Sequence, residues 1–143
     1  MTEKVCALPY RKMSSGLEVL SFLHPLAGRQ FVKGTLEINE APASGAFREL
    51  QEESGLSPAL SPNLLGQDVL GSPPVRWQFY AFETKDLPDS WVHWTEDGGG
   101  LLFSFFWHPL ERDLDSDWHP IFHQAYRTIR SYLPLVARPS DPA

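Results

Sequence analysis

A chain of 143 residues is the size of one domain, long enough to bury a core without a disulfide or structural metal. With 42% hydrophobic and 21% charged residues it is neither disordered nor fibrous, and a net charge of -6 excludes a basic footprint for non-specific nucleic-acid binding. Cys6 is the single cysteine, no basic and apolar leader opens the chain, and no apolar run is long enough to span a bilayer. The expectation is therefore a cytoplasmic protein without a membrane partner.

In chain order, Val5 to Lys12 and Leu17 to His24 are apolar and aromatic, with Met13 to Gly16 as a turn between them, which predicts an opening hairpin. Ala43 to Ser54 carries good helix formers and stops at Gly55, a residue suited to the left-handed position past a helix end. Leu64 to Leu70 and Val75 to Lys85 predict two strands separated by the breakers Gly71, Ser72, Pro73 and Pro74. Trp91 to Thr95 and Leu101 to His108 follow, on either side of Gly98, Gly99 and Gly100; the second is strongly apolar and is expected to be central. From His119 to Leu133 the apolar residues Phe122, Ala125, Tyr126, Ile129 and Leu133 recur at helical spacing, an amphipathic helix able to cover a sheet face. No repeat or linker interrupts the pattern, so residues 1–136 read as one α/β domain, a mixed sheet covered on both faces. Residues 137–143 read as a frayed tail.

The chemistry concentrates in the first helix. Glu49, Glu52 and Glu53 stand at i, i+3 and i+4, so their carboxylates project from one side of it. Such crowding costs a few tenths of a kcal/mol for each exposed like-charged pair unless a cation sits among them. Carboxylate, carbonyl and water oxygens are what Mg²⁺ or Mn²⁺ selects, often together with substrate phosphates. A bare acidic cluster is more often a solvated helix face; the spacing around this one is what changes that reading.

Gly34 is followed after five residues by Glu40. After seven more comes Arg48, Glu49, Leu50, Gln51, Glu52, Glu53, Ser54, Gly55, Leu56. This run resembles the full signature of the Nudix hydrolases, tightly from Gly34 to Leu56 and loosely over most of the chain. The resemblance implies an α/β/α sandwich and a metal-dependent pyrophosphohydrolase. Its substrate would be nucleoside-diphosphate-linked, a nucleoside triphosphate or dinucleoside polyphosphate before others. It further implies metal binding by Glu49, Glu52 and Glu53, with help from the Lys33 carbonyl and from Glu40, and a carboxylate-orienting role for Arg48. The alternative is a Nudix-fold domain that senses a nucleotide without cleaving it. Members of the family often form homodimers, and the aromatic strand ending at Trp107 would suit an interface. Three positions depart from the common pattern: Asn39 where glycine is frequent, Gly45 where alanine is frequent, and Arg29 where tryptophan is frequent.

Within the family the general base is either a helix glutamate, here Glu49, or a later loop carboxylate, here Glu96; Glu53 stands with them among the catalytic candidates. Trp77, Tyr80, Trp91 and Trp94 are candidates to stack on a base, although core packing is the commoner fate of each. Arg11 and Arg76 are candidates for distal phosphates. His119 and His123 are one helical turn apart but lack the neighbours of a zinc site, and Cys6 reads as a buried small residue.

Overall fold

The computed structural model describes residues 2–58, 62–96 and 99–137. Strands β1 (Glu3–Met13) and β2 (Gly16–His24) form the expected hairpin, with Tyr10 opposite Val19 and Met13 opposite Gly16. Two short strands follow that the sequence pattern did not announce. β3 (Gly28–Gln30) folds back on β2, and β4 (Val32–Thr35) crosses to pair with the first half of β1. Next come α1 (Pro42–Ser54), β5 (Asn63–Leu70), β6 (Val75–Glu83), β7 (Ser90–Thr95), β8 (Leu101–Pro109) and α2 (Pro120–Val136).

The sheet runs β5-β6-β1-β2-β8-β7, with β6 parallel to β1, which makes it mixed. β8 lies one place in from the edge strand β7 and is not central; β1 and β2 hold the middle. The apolar character that pointed inward has another cause. Phe103, Phe105 and Trp107 of β8 pack on the α1 side, while Phe106 and His108 face Trp118 on the other.

Alternation along β1 sets two cores back to back. Val5 and Ala7 join Leu20, Phe22, Ala46, Leu50 and Phe105 beneath α1. Cys6, Leu8 and Tyr10 join Phe31, Trp77, Phe79, Phe122 and Ile129 beneath α2. α2 extends past the expected end at Leu133 to Val136. Ala137, expected to fray, is buried and donates its N–H to the Leu133 carbonyl at 2.9 Å. The rest of the expected tail, 138–143, lies outside the described residues. Among the described residues no helix is long and apolar enough to cross a membrane.

One topological detail positions the site. β1 gives one edge to β6 along residues 3–10, and divides the other, residues 4–7 to β4 and residues 10–13 to β2. The sheet therefore opens into a fork between β4 and β2, and α1 packs across β4 beside it.

Candidate active site

α1 begins with Pro42 in the first turn, where a missing N–H costs nothing, and ends at Gly55 with φ 77°, donating its N–H to the Gln51 carbonyl. The expected left-handed stop is there. Ala46 and Leu50 bury into the sheet, and Glu49 and Glu53 lie on the same buried stripe, while Glu52 is half-exposed on its flank. Buried carboxylates are costly unless paired or coordinated. The fold nonetheless makes room for one of them deliberately. A Cβ on Gly34 would stand 1.9 Å from the Glu49 carboxyl carbon. Glycine at that position of β4 is what lets the Glu49 carboxylate lie over the strand, one residue from the Lys33 carbonyl.

Arg48 ties the acidic residues together. Its Nε and Nη2 donate to the two oxygens of Glu40 at 2.7 and 2.8 Å, its Nη1 to Glu49 at 2.9 Å and Glu52 at 3.3 Å, and Nη2 also reaches the Thr35 carbonyl. This fork holds the Glu40 carboxyl down to a pKa of about 2, mainly through the Arg48 hydrogen bonds, and raises the arginine's own pKa. Glu40 also accepts from the Glu37 N–H, which closes the loop leading into the helix. Asn39 takes φ 62°, the conformation for which asparagine substitutes for glycine. Gly45 has a reason of its own, since a Cβ there would press on Leu36 and on the Glu40 carboxylate, at 2.4 and 2.9 Å.

Among the described residues no three Cys, His, Asp or Glu side chains are gathered into a ready metal cage. Arg48 draws Glu40, Glu49 and Glu52 towards itself instead. The donors still suit a hard divalent ion. Mg²⁺ is commonly held by one or two carboxylates with waters and substrate phosphates completing its shell, and the cleared space over Gly34 lets the Glu49 carboxylate lie against the strand.

Glu96 directly follows β7 and is exposed. With Gln51, Glu52, His93, Trp94 and Thr95 it lines a cleft of about 380 Å³, so the later carboxylate and the helix carboxylate Glu52 share one concavity. Asp97 and Gly98, the rest of that turn, lie outside the described residues. β7 is seated against the helix end. Trp91 Nε1 donates to the Ser54 carbonyl at 3.1 Å, and His93 packs on Gly55.

Several residues singled out in the sequence are placed elsewhere. Trp77 is corrected to a core residue: it is buried on the α2 face between Phe79 and Phe122, across the sheet from α1. Tyr80 is buried in the α1-side core, and Trp91 is stacked on Phe105. Arg11 is committed to Glu18 and Asp89, each at 2.8 Å, and lies over Trp107 at the far end of β1; Arg76 is paired with Glu3 at 3.1 Å. Neither arginine stands with the carboxylates of α1. Arg29 pairs with Asp115 and lies over Phe106. His119 caps α2 through the Ile121 N–H, and His123 lies 3.1 Å from the Asp115 carbonyl. Cys6 is buried, which pushes its thiol pKa up.

The site also includes a residue the sequence did not mark. Lys4 donates to Thr35 Oγ1 at 2.7 Å, opposite it on β4. Burial lowers the Lys4 pKa, the nearby Lys33 charge lowers it further, and Glu49 opposes both. Lys4 therefore stands within electrostatic reach of Glu49, while Lys33 Nζ lies 6.0 Å from the Phe122 ring on the α2 side.

The fold recurs in solved structures. The NUDIX domain of Shewanella oneidensis NrtR, complexed with ADP ribose, has a TM-score of 0.66 at 16% identity, covering 90% of this chain and 86% of that one. A MutT structure, from a study of the Aliivibrio salmonicida and Vibrio cholerae proteins, scores 0.64 at 14% identity, covering 91% and 96%. The C. elegans Ap4A hydrolase scores 0.64 at 15% identity, covering 93% and 98%. No curated protein matches significantly in sequence. The family model for the NUDIX domain matches residues 14–127, from the first hairpin turn into α2, and the chain belongs to that family.

Proposed function

We propose that the chain is a Mg²⁺- or Mn²⁺-dependent pyrophosphohydrolase acting on a nucleoside-diphosphate-linked substrate, a nucleoside triphosphate or dinucleoside polyphosphate before others. The observation that carries this reading is the seat of Glu49 over Gly34. A strand has given up a side chain so that a buried carboxylate of α1 can lie against its backbone, with Glu53 one turn on and Glu52 beside it. A purely structural acidic helix has no use for that space. The Ap4A hydrolase and the ADP-ribose complex among the structural neighbours support a nucleotide as the ligand.

Glu49, Glu52 and Glu53, with the Lys33 carbonyl, would hold the metal, and Glu40 would order the loop and its waters. A bound divalent ion neutralises phosphate charge and lowers the pKa of coordinated water. Arg48 fixes the orientation of Glu49 and Glu52 before substrate arrives, which saves reorganisation during the reaction. Lys4 adds positive charge beside Glu49, where a polyphosphate would meet the fork. Water attacks one phosphorus, its proton passes to a carboxylate, the anhydride P–O bond breaks, and the phosphate or nucleotide leaves with the bond's electron pair. Glu49 and Glu96 are the competing proton acceptors, and general-base loss is worth about 10²- to 10⁴-fold.

The test is hydrolysis of nucleoside triphosphates, dinucleoside polyphosphates, nucleotide sugars and capped RNA with Mg²⁺, with a chelator as control. Wild type should turn over at least one of them, chelation should abolish the rate, and Glu53→Gln should lose most of it while remaining folded. Tight nucleotide binding without turnover would replace this reading with nucleotide sensing. Equal rates for Glu53→Gln and wild type would sink the assignment of the metal site.

A further inference from the structure

The chain has five histidines, and four of them are committed to backbone groups. His24 Nδ1 accepts from the N–H groups of Leu26 and Ala27, His119 Nδ1 accepts from Ile121, and the Nε2 atoms of His108 and His123 stand 2.8 and 3.1 Å from the carbonyls of Arg112 and Asp115. His93 differs. Among the described residues its ring makes no hydrogen bond, although the residue is partly buried. A polar ring held this way without a partner calls for an explanation.

The position of the ring is fixed by the fold. Alternation along β7 turns Trp91, His93 and Thr95 toward α1, and Val92 and Trp94 to the opposite face. Trp91 is occupied by its stack on Phe105 and its bond to the Ser54 carbonyl, and Thr95 is buried. Between them the imidazole lies on the end of the helix, where a Cβ on Gly55 would stand 2.8 Å from Nδ1 and 3.0 Å from Cε1. Gly55 follows Glu52 by three residues, and His93, Glu52 and Glu96 line one cleft of about 380 Å³, a volume within the ~300–1,000 Å³ of small-molecule sites. That cleft is short of donors. No lysine or arginine lines it, the Gln51 amide donates to Ser57 Oγ at 2.8 Å, and its two charged groups are the carboxylates of Glu52 and Glu96. An imidazole keeps at least one N–H whether it is neutral or charged. His93 is thus the side chain free to meet an anionic group brought beside Glu52.

We propose that His93 is a phosphate-binding residue, donating a ring N–H to a non-bridging oxygen of the substrate's phosphate chain beside Glu52. This rests on the pyrophosphohydrolase reading above and deepens it. The phosphate chain lies between α1 and β7, and it gains a contact from outside the loop and helix that carry the acidic residues.

The experiment measures kcat, KM and Tm for wild type, His93→Phe and His93→Gln, with Mg²⁺ and the nucleotide that wild type hydrolyses. Phenylalanine keeps a flat ring on Gly55 and removes the N–H; glutamine removes the ring and keeps an N–H donor. His93→Phe should raise KM about ten- to hundred-fold, the scale of a lost hydrogen bond to a charged group, with kcat within about three-fold and Tm little changed. His93→Gln should recover most of that loss. A purely structural role predicts the reverse order, so wild-type kinetics in His93→Phe, or a larger loss in His93→Gln than in His93→Phe, overturns the proposal. Glu53→Gln separates it from the reading on which it rests: if that variant loses its rate and His93→Phe does not, the metal site stands and the phosphate contact falls. If wild type hydrolyses no nucleotide, the contact is tested by calorimetry with Mg²⁺ and the α,β-methylene analogue of ATP. There His93→Phe should weaken Kd by about ten-fold or more, and His93→Gln by less than about three-fold. An unchanged Kd in His93→Phe, or no binding by wild type, overturns the contact as well.

Discussion

At the scale of single residues the site is an exercise in controlled crowding. Glu49 stays where it is because Gly34 has no side chain, so Gly34→Ala should push the carboxylate aside and reduce kcat/KM by about 10²-fold, the usual cost of a misplacement near 1 Å. Because the added methyl meets the end of a side chain, Tm should change little; unaltered kinetics would refute the seat. Arg48 supplies the second test. Its fork lowers the Glu40 pKa from 4.5 to about 2, so the pair stabilises the fold fully above about pH 4.5 and loses that contribution as pH falls through about 2. The Tm difference between wild type and Arg48→Gln should therefore be constant from about pH 5 to 6, narrow below 4.5 and vanish near 2. A difference that persists at pH 2 would show that Arg48 acts other than through the charge of Glu40. Much of this cluster was legible in the sequence, since Gly34, Glu40, Arg48 and the three glutamates are fixed by spacing along one loop and helix. Lys4 was not. It reaches the cluster only because β1 pairs with β4 across thirty residues, and nothing local marks such a pairing.

At the scale of elements, the helix was the easiest part to read and the short strands the hardest. α1 carries its own end signal: Gly55 adopts φ 77°, and a Cβ there would also meet His93 Nδ1 at 2.8 Å. Gly55→Ala should then cost about 1–2 kcal/mol in backbone strain, lowering Tm by several degrees in thermal denaturation followed by circular dichroism. An unchanged Tm would mean that the helix end can rearrange freely. β3 and β4 have three and four residues and no run of alternation, so their existence depends on partners rather than on pattern. The same dependence explains the aromatic residues. In β7, Trp91 and Trp94 necessarily point to opposite faces, but the sequence does not say that α1 covers one face and leaves the other bare. The sheet position of β8 was misleading for a related reason, since packing by Trp118 on its second face mimics the hydrophobicity of a central strand.

At the scale of the whole molecule, β1 joins two cores that share no side chain. Its odd-numbered residues Val5 and Ala7 support α1, and its even-numbered residues Cys6, Leu8 and Tyr10 support α2. The carboxylates of α1 therefore keep their place over β4 only while β1 is held from the other side as well. Leu8 and Leu50 are both fully buried, one in each core, and truncation of either to alanine should cost about 2–5 kcal/mol. Against a total of ~5–15 kcal/mol, that is a large fraction of the stability of a domain. If β1 couples the two layers, Leu8→Ala and Leu50→Ala should each lower Tm by on the order of 10 °C. Far-ultraviolet circular dichroism and tryptophan fluorescence should still report one coincident transition, because tryptophans lie in both cores. Separated transitions in Leu8→Ala, with the α2 layer melting first while hydrolytic activity survives, would show instead that the α1 layer stands without its partner.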